Sequence, residues 1–170
     1  ASAPNHLLTL AEVLAMYLLV GAPAPWKGLR VAPPPGLCAE DAALWAKEQG
    51  LIEAFVAALP AVRRALAPVP TAMIFDDHDV TDDWNFSINW AAQVKSSAVG
   101  TRIITNALAA YWIFQAWGND PKVSARETPH MRDALAKRLT DPVELEARFE
   151  KQFAEDEWYR HLYRTSYAYH

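Results

Sequence analysis

A chain of 170 residues, 52% of them hydrophobic and 21% charged, is long enough to bury a sizeable core and has the ordinary composition of a globular domain. Its net charge of −4 argues against a general nucleic-acid binder, which needs a basic surplus to meet backbone phosphates. The single cysteine, Cys38, excludes an internal disulfide and a thiolate zinc finger, and it is read as a small buried or partly buried residue.

The first helix signal is Thr9-Leu10-Ala11-Glu12, whose capping-box spacing opens a helix over about 10–20 that Gly21 and Pro23 stop. The apolar run from Leu14 to Pro25 is too short to span a bilayer and has no basic leader, so it is read as a core helix and not as a membrane segment or signal peptide. Compartment is left open, because a cytoplasmic and an exported protein both fit. From Pro23 to Gly36, prolines and glycines describe a loop that carries Trp26 against the body of the protein, with Pro33-Pro34-Pro35 as a stiff connector. A second helix is expected over about 39–58. There Leu44, Leu51, Ile52, Phe55, Val56 and Leu59 recur at helical intervals and mark a face expected to be buried. Pro60 should kink or restart the helix, giving a short one over about 60–67. Thr71-Ala72-Met73-Ile74-Phe75 is short, follows Pro70 and is apolar on consecutive positions, which suits a buried strand over about 71–76.

Further helices are expected over about 88–95 and 99–117. In the longer one, Ile104, Leu108, Tyr111, Trp112 and Gln115 share one face and Ile103, Ala107, Ala110 and Phe114 another, so it should be central. Gly118-Asn119-Asp120-Pro121 ends it with turn chemistry. Proline at the first helical position marks two more helices, over about 129–138 and 142–157, and the alternation of residues 165–169 suits a possible strand. Trp45, Trp90, Trp112 and Trp117 fall in or beside apolar patterns and are assigned to packing. The chain is thus expected to be mainly α with one or two short strands, either a single domain or a fragment of a larger one.

The densest chemistry lies at Phe75-Asp76-Asp77-His78-Asp79-Val80-Thr81-Asp82-Asp83-Trp84-Asn85. Asp76, Asp77, Asp79, Asp82 and Asp83 repel one another at neutral pH, so a compact arrangement wants a bound cation, an arginine partner or raised pKa values. A divalent metal is the simplest solution, since hard metals take carboxylate oxygen and His78 adds a further ligand or a proton donor. An EF-hand loop starting at Asp77 fails, because it needs Gly where Asp82 stands and Glu where Ile88 stands. The other reading of the aspartates is structural, as caps and turns for the helix that follows. Arg102 would approach a bound phosphate only if its helix start faced the cluster, and otherwise lies on the surface. Trp84 either walls the site or anchors the segment.

The run 75–85 resembles the Asp-Asp-His-Glu/Asp motif of the alkaline phosphatase D-like (PhoD-like) metallophosphatases, within the calcineurin-like metallophosphoesterase superfamily. His6-Leu7-Leu8-Thr9 through Tyr17-Leu18, and Asn106-Ala107-Leu108-Ala109-Ala110-Tyr111-Trp112 through Gly118-Asn119-Asp120-Pro121, are similar to bacterial members of that group, so the resemblance reaches to about residue 121. It implies an α/β metallophosphatase-type sandwich of which this chain is an internal helical segment. It also implies a centre of two or more divalent metal ions (Ca, Mn, Mg, Fe or Zn) that hydrolyses phosphate mono- or diesters with metal-activated water. By that resemblance Asp77 is a metal ligand and His78 assists the transition state or leaving group. Asp76 is a second candidate ligand, at the family's Gly position, Asp79 orients His78 or supports the ligands from outside, and Asp83 and Asn85 stand in reserve. The family's upstream Asp-bearing strand motifs and downstream Gly-His-x-His motif do not occur here, and His6, His130, His161 and His170 lack the spacing. The segment is therefore expected to need further phosphatase segments and to be inactive alone. The alternative is a helical binding or lid module without chemistry of its own.

Overall fold

In the computed structural model, residues 7–74, 76, 79, 80, 88–122 and 126 are described. These residues are mainly helical, and no strand occurs among them. The chain divides into two compact units, one comprising Ala1–Ala15 with Ala72–His170 and the other Met16–Thr71. The helices expected over 129–138 and 142–157 and the strand over 165–169 lie outside the described residues.

Helix α1, Leu10–Gly21, starts at the anticipated capping box. Thr9 Oγ1 accepts from the Glu12 N–H at 3.2 Å, and the Glu12 carboxylate accepts from the N–H groups of Thr9 (2.9 Å) and Leu8 (3.0 Å). N–H groups that no helical carbonyl can reach are thereby satisfied.

The core of the first unit is built on α4, Ala98–Tyr111. Every residue from Ile104 to Trp112 is buried, as expected of a helix apolar nearly all round. Leu10, Ile104, Leu108, Ala109, Tyr111, Trp112 and Ala116 form the buried cluster, against which Leu14, Val80, Trp90, Val94 and Trp117 pack. Each fully buried large side chain in such a cluster contributes about 1.5–3 kcal/mol relative to exposure. Two polar residues are enclosed with them, Thr105 and Asn106. Asn106 Nδ2–H donates to the Leu8 carbonyl at 2.9 Å, tying α4 to the residues ahead of α1.

Helix α3, Ile88–Ser96, joins α4 through a tight corner. Ser97 caps α4 by accepting from the Gly100 N–H at 3.2 Å, and Thr101 Oγ1–H donates to the Val94 carbonyl at 3.2 Å. Gly100 is where the helices close: a Cβ there would lie 3.2 Å from the Val94 carbonyl oxygen.

The helix expected to end near 117 instead changes pitch. Trp112–Ala116 forms a π-helical turn before the short α5, Trp117–Asn119. The Trp117 N–H donates to the Trp112 carbonyl, five residues back, so the two side chains leave the helix on the same side. Their rings meet edge to face, with centroids 5.2 Å apart and planes at 90°. In an α-helix these positions point well apart, which is why a 3.6-residue pattern does not reveal the pair.

In the second unit, α2 spans Ala39–Leu66 without interruption. Pro60 neither stops nor restarts it; the missing N–H removes one ladder bond, and alanines at 57, 58 and 61, the best helix formers, surround it. The buried face expected from its periodicity is mostly solvent-facing: Leu59 is buried and Val56 half-buried, but Leu44, Leu51, Ile52 and Phe55 are exposed. Cys38 is likewise exposed, not buried. It is the N-cap of α2, its Sγ accepting from the Asp41 N–H at 3.4 Å, and a cap side chain stands at the open end of the helix.

The loop between α1 and α2 turns at Gly28 (φ +85°) and Gly36 (φ +83°), conformations that favour glycine. Trp26 anchors it as anticipated, its indole N–H donating to the Leu19 carbonyl at 2.7 Å.

Candidate functional site

The segment that leads into the aspartates is not the buried strand read from its apolar run. Residues 71–74 and 76 have no regular structure, and 71–74 are exposed. No strand pairs with them among the described residues, and the side chain of Asn119 supplies the bonds that a neighbouring strand would have made. Asn119 Nδ2–H donates to the Met73 carbonyl at 2.6 Å, and the Met73 N–H donates to Asn119 Oδ1 at 2.8 Å. An amide carries both donor and acceptor in one plane and can clasp both backbone groups of a residue in this way. Asn119 is held by α5, so the residue three positions before the cluster is fixed to the end of the central helical run.

The chain then closes on itself. The Asp79 N–H donates to the Asp76 carbonyl at 3.1 Å, and the Asp76 N–H donates to Asp79 Oδ2, also at 3.1 Å. The second bond is the acidic half of a capping box, a carboxylate reaching back three residues to an N–H. Asp76 and Asp79 are both exposed, so solvent and salt screen the repulsion that their proximity creates.

Of the residues singled out in the sequence, the structure thus brings Asp76 and Asp79 together. Asp77, His78, Asp83 and Asn85 lie outside the described residues, as do Asp82 and Trp84. Among the described residues no group of three or more His, Cys, Asp or Glu side chains is placed to hold a metal ion. Asp76 and Asp79 can supply the oxygen donors that hard divalent ions prefer, but one Asp79 oxygen already accepts an N–H, which suits a supporting role better than a chelating one. Arg102, read as either near a bound phosphate or on the surface, is half-buried in α4.

Asn119 and Asn106 were the residues the sequence did not single out for these roles. Asn119 reads as turn chemistry in Gly118-Asn119-Asp120-Pro121, while its partner Met73 is 46 residues away. Asn106 stands out only as a polar residue inside an apolar helix, a signal that a side chain is needed there for a hydrogen bond.

The second unit contains a separate cavity of about 560 Å³ between the proline-rich loop and α2. Its floor is apolar, with Trp26, Trp45, Ile52 and Val56, and Arg30 and Glu53 stand among its lining residues. The Trp45 indole N–H is buried and has no hydrogen-bond partner among the described residues. No helix among the described residues is long and apolar enough to cross a membrane. Comparison of the chain with family models, curated proteins and solved structures finds no match.

Proposed function

We propose that this chain supplies one metal-ligating segment of a metal-dependent phosphoesterase, hydrolysing phosphate mono- or diesters with metal-activated water once other segments complete the centre. The observation that carries the reading is the sequence Asp76-Asp77-His78-Asp79, set between an anchored residue on one side and two closing hydrogen bonds. In it, Asp77 is the ligand, with Asp76 as a lesser one, and His78 serves the transition state or leaving group. Asp79 positions the turn, and Asp83 and Asn85 are reserve ligands. Metal would neutralise the carboxylates and present hydroxide to phosphorus, while the chain's own residues fix where the ligands stand. An α/β metallophosphatase sandwich around this helical segment is part of the same proposal, as is a site of two or more metals.

The test is metal binding, followed by turnover. Calorimetric titration of the chain with Mn²⁺, Zn²⁺ or Ca²⁺ should show weak binding that Asp77→Asn removes. In the complete protein, His78→Ala should lower turnover of a phosphomonoester and phosphodiester panel by orders of magnitude with helix content retained. Unchanged turnover would reject the role given to His78.

One observation favours the second reading, a helical binding or lid module whose aspartates act as caps. Asp79 already behaves as a capping carboxylate toward Asp76. On that reading divalent ions leave the calorimeter silent, and Asp79→Ala alters amide protection at Asp76 without any metal dependence.

A further inference from the structure

Along α2, Leu44, Leu51, Phe55, Val62 and Leu66 are each 41–63% exposed. They follow one another at spacings of 7, 4, 7 and 4 residues, an 11-residue repeat that keeps them on one side of the helix. At 3.6 residues per turn they fall within an arc of about 60°, and from Leu44 to Leu66 the stripe is about 33 Å long. Large apolar side chains aligned along one helix, here interrupted by Glu48, mark a contact surface, unlike scattered exposed hydrophobics.

Charge and spacing along the helix indicate the occupant. The half of α2 before Phe55 carries Glu40, Asp41, Glu48 and Glu53 against Lys47, whereas the half after it carries Arg63 and Arg64 and no acid. A second copy laid antiparallel, with its two-fold axis at Phe55, would put each acidic half beside a basic one and oppose the two helix dipoles. The two ends of the stripe, Leu44 and Leu66, lie eleven residues to either side of Phe55 and so face each other in that pairing. The acidic Glu48 then comes within one residue of the other copy's Arg63, on the same edge of the stripe. A parallel pair would instead stack acid on acid and Arg on Arg.

We propose that the exposed stripe of α2 is a homodimer interface, formed by antiparallel pairing of two copies of this chain about Phe55. Sedimentation equilibrium should show a mass rising toward twice 19.0 kDa as the chain is concentrated. A weak helix pair would populate both species between about 1 and 100 µM. Phe55→Glu and Leu51→Glu should each hold the chain at the monomer mass over that range with an unchanged far-ultraviolet helix signal. Val99→Glu, at an exposed position of α4, should leave the dimer intact. Orientation is read by oxidising a mixture of two single-cysteine variants, Leu44→Cys and Leu66→Cys, each in a Cys38→Ser background. Antiparallel pairing gives the mixed disulfide in several-fold excess over the 44–44 and 66–66 products. A chain that stays monomeric at about 100 µM, a dimer indifferent to Phe55→Glu and Leu51→Glu, or a predominance of like-with-like disulfides would each overturn the proposal.

Discussion

Asn119→Ala removes both hydrogen bonds that hold Met73, at 2.6 and 2.8 Å, without disturbing the buried cluster around Trp112. A net hydrogen bond contributes about 0.5–1.5 kcal/mol, and because Met73 is exposed its freed backbone groups regain water, so the lower half of that range, about 0.5–1 kcal/mol, applies to each. Together they give about 1–2 kcal/mol of local stabilisation, which is a factor of about 5–30 in a local opening equilibrium. Native-state hydrogen exchange followed by NMR should therefore show the Met73 amide exchanging about 5–30 times faster in the variant, while amides of Ile104 to Trp112 keep their protection. Asn119→Asp is the graded control. It retains an acceptor for the Met73 N–H but has no donor for the carbonyl, so it should fall between wild type and Asn119→Ala. An unchanged Met73 exchange rate, or an equal loss of protection throughout α4, would refute the idea that Asn119 stands in for a strand neighbour.

Trp112→Ala should cost about 3–5 kcal/mol, the range for truncating a fully buried tryptophan, and a denaturant titration of the first unit reads it directly. Trp112→Phe should cost much less, because the indole N–H makes no hydrogen bond among the described residues and its loss strands nothing. Asn106→Ala should lower stability by about 1–2 kcal/mol, combining a lost bond to Leu8 with a small void in the core; thermal melting beside Asn106→Asp tests whether the donor is what matters. Hydrogen bonds from the Thr9 backbone, the Leu8 backbone and the Thr9 hydroxyl, in that order, hold the Glu12 carboxyl below its ordinary value of 4.5. Its contribution to the start of α1 is therefore complete above the unfolded value and disappears as pH falls through the lower folded one. NMR amide shifts of Leu8 and Thr9 should titrate in that acid window and become flat in Glu12→Gln.

Local signals identified the start of α1 and the central helix. The spacing of Thr9 and Glu12 is a hydrogen-bonding geometry in itself, and a helix apolar on all sides, such as residues 104–112, can only be inside. The strand expected over 71–76 failed because apolar character fits many environments, and the bonds that decide it come from Asn119, 46 residues later. Periodicity on α2 grouped Leu44, Leu51 and Phe55 on one face but did not reveal its environment, since an amphipathic pattern says which residues share a face and not what lies opposite. The same limit applies at the candidate site. The order Asp76-Asp77-His78-Asp79 and its chemistry belong to the sequence alone. The clasp on Met73 and the π-helical turn that brings Trp117 onto Trp112 were decided only by the folded structure, because each depends on where a distant or differently pitched backbone places a partner atom.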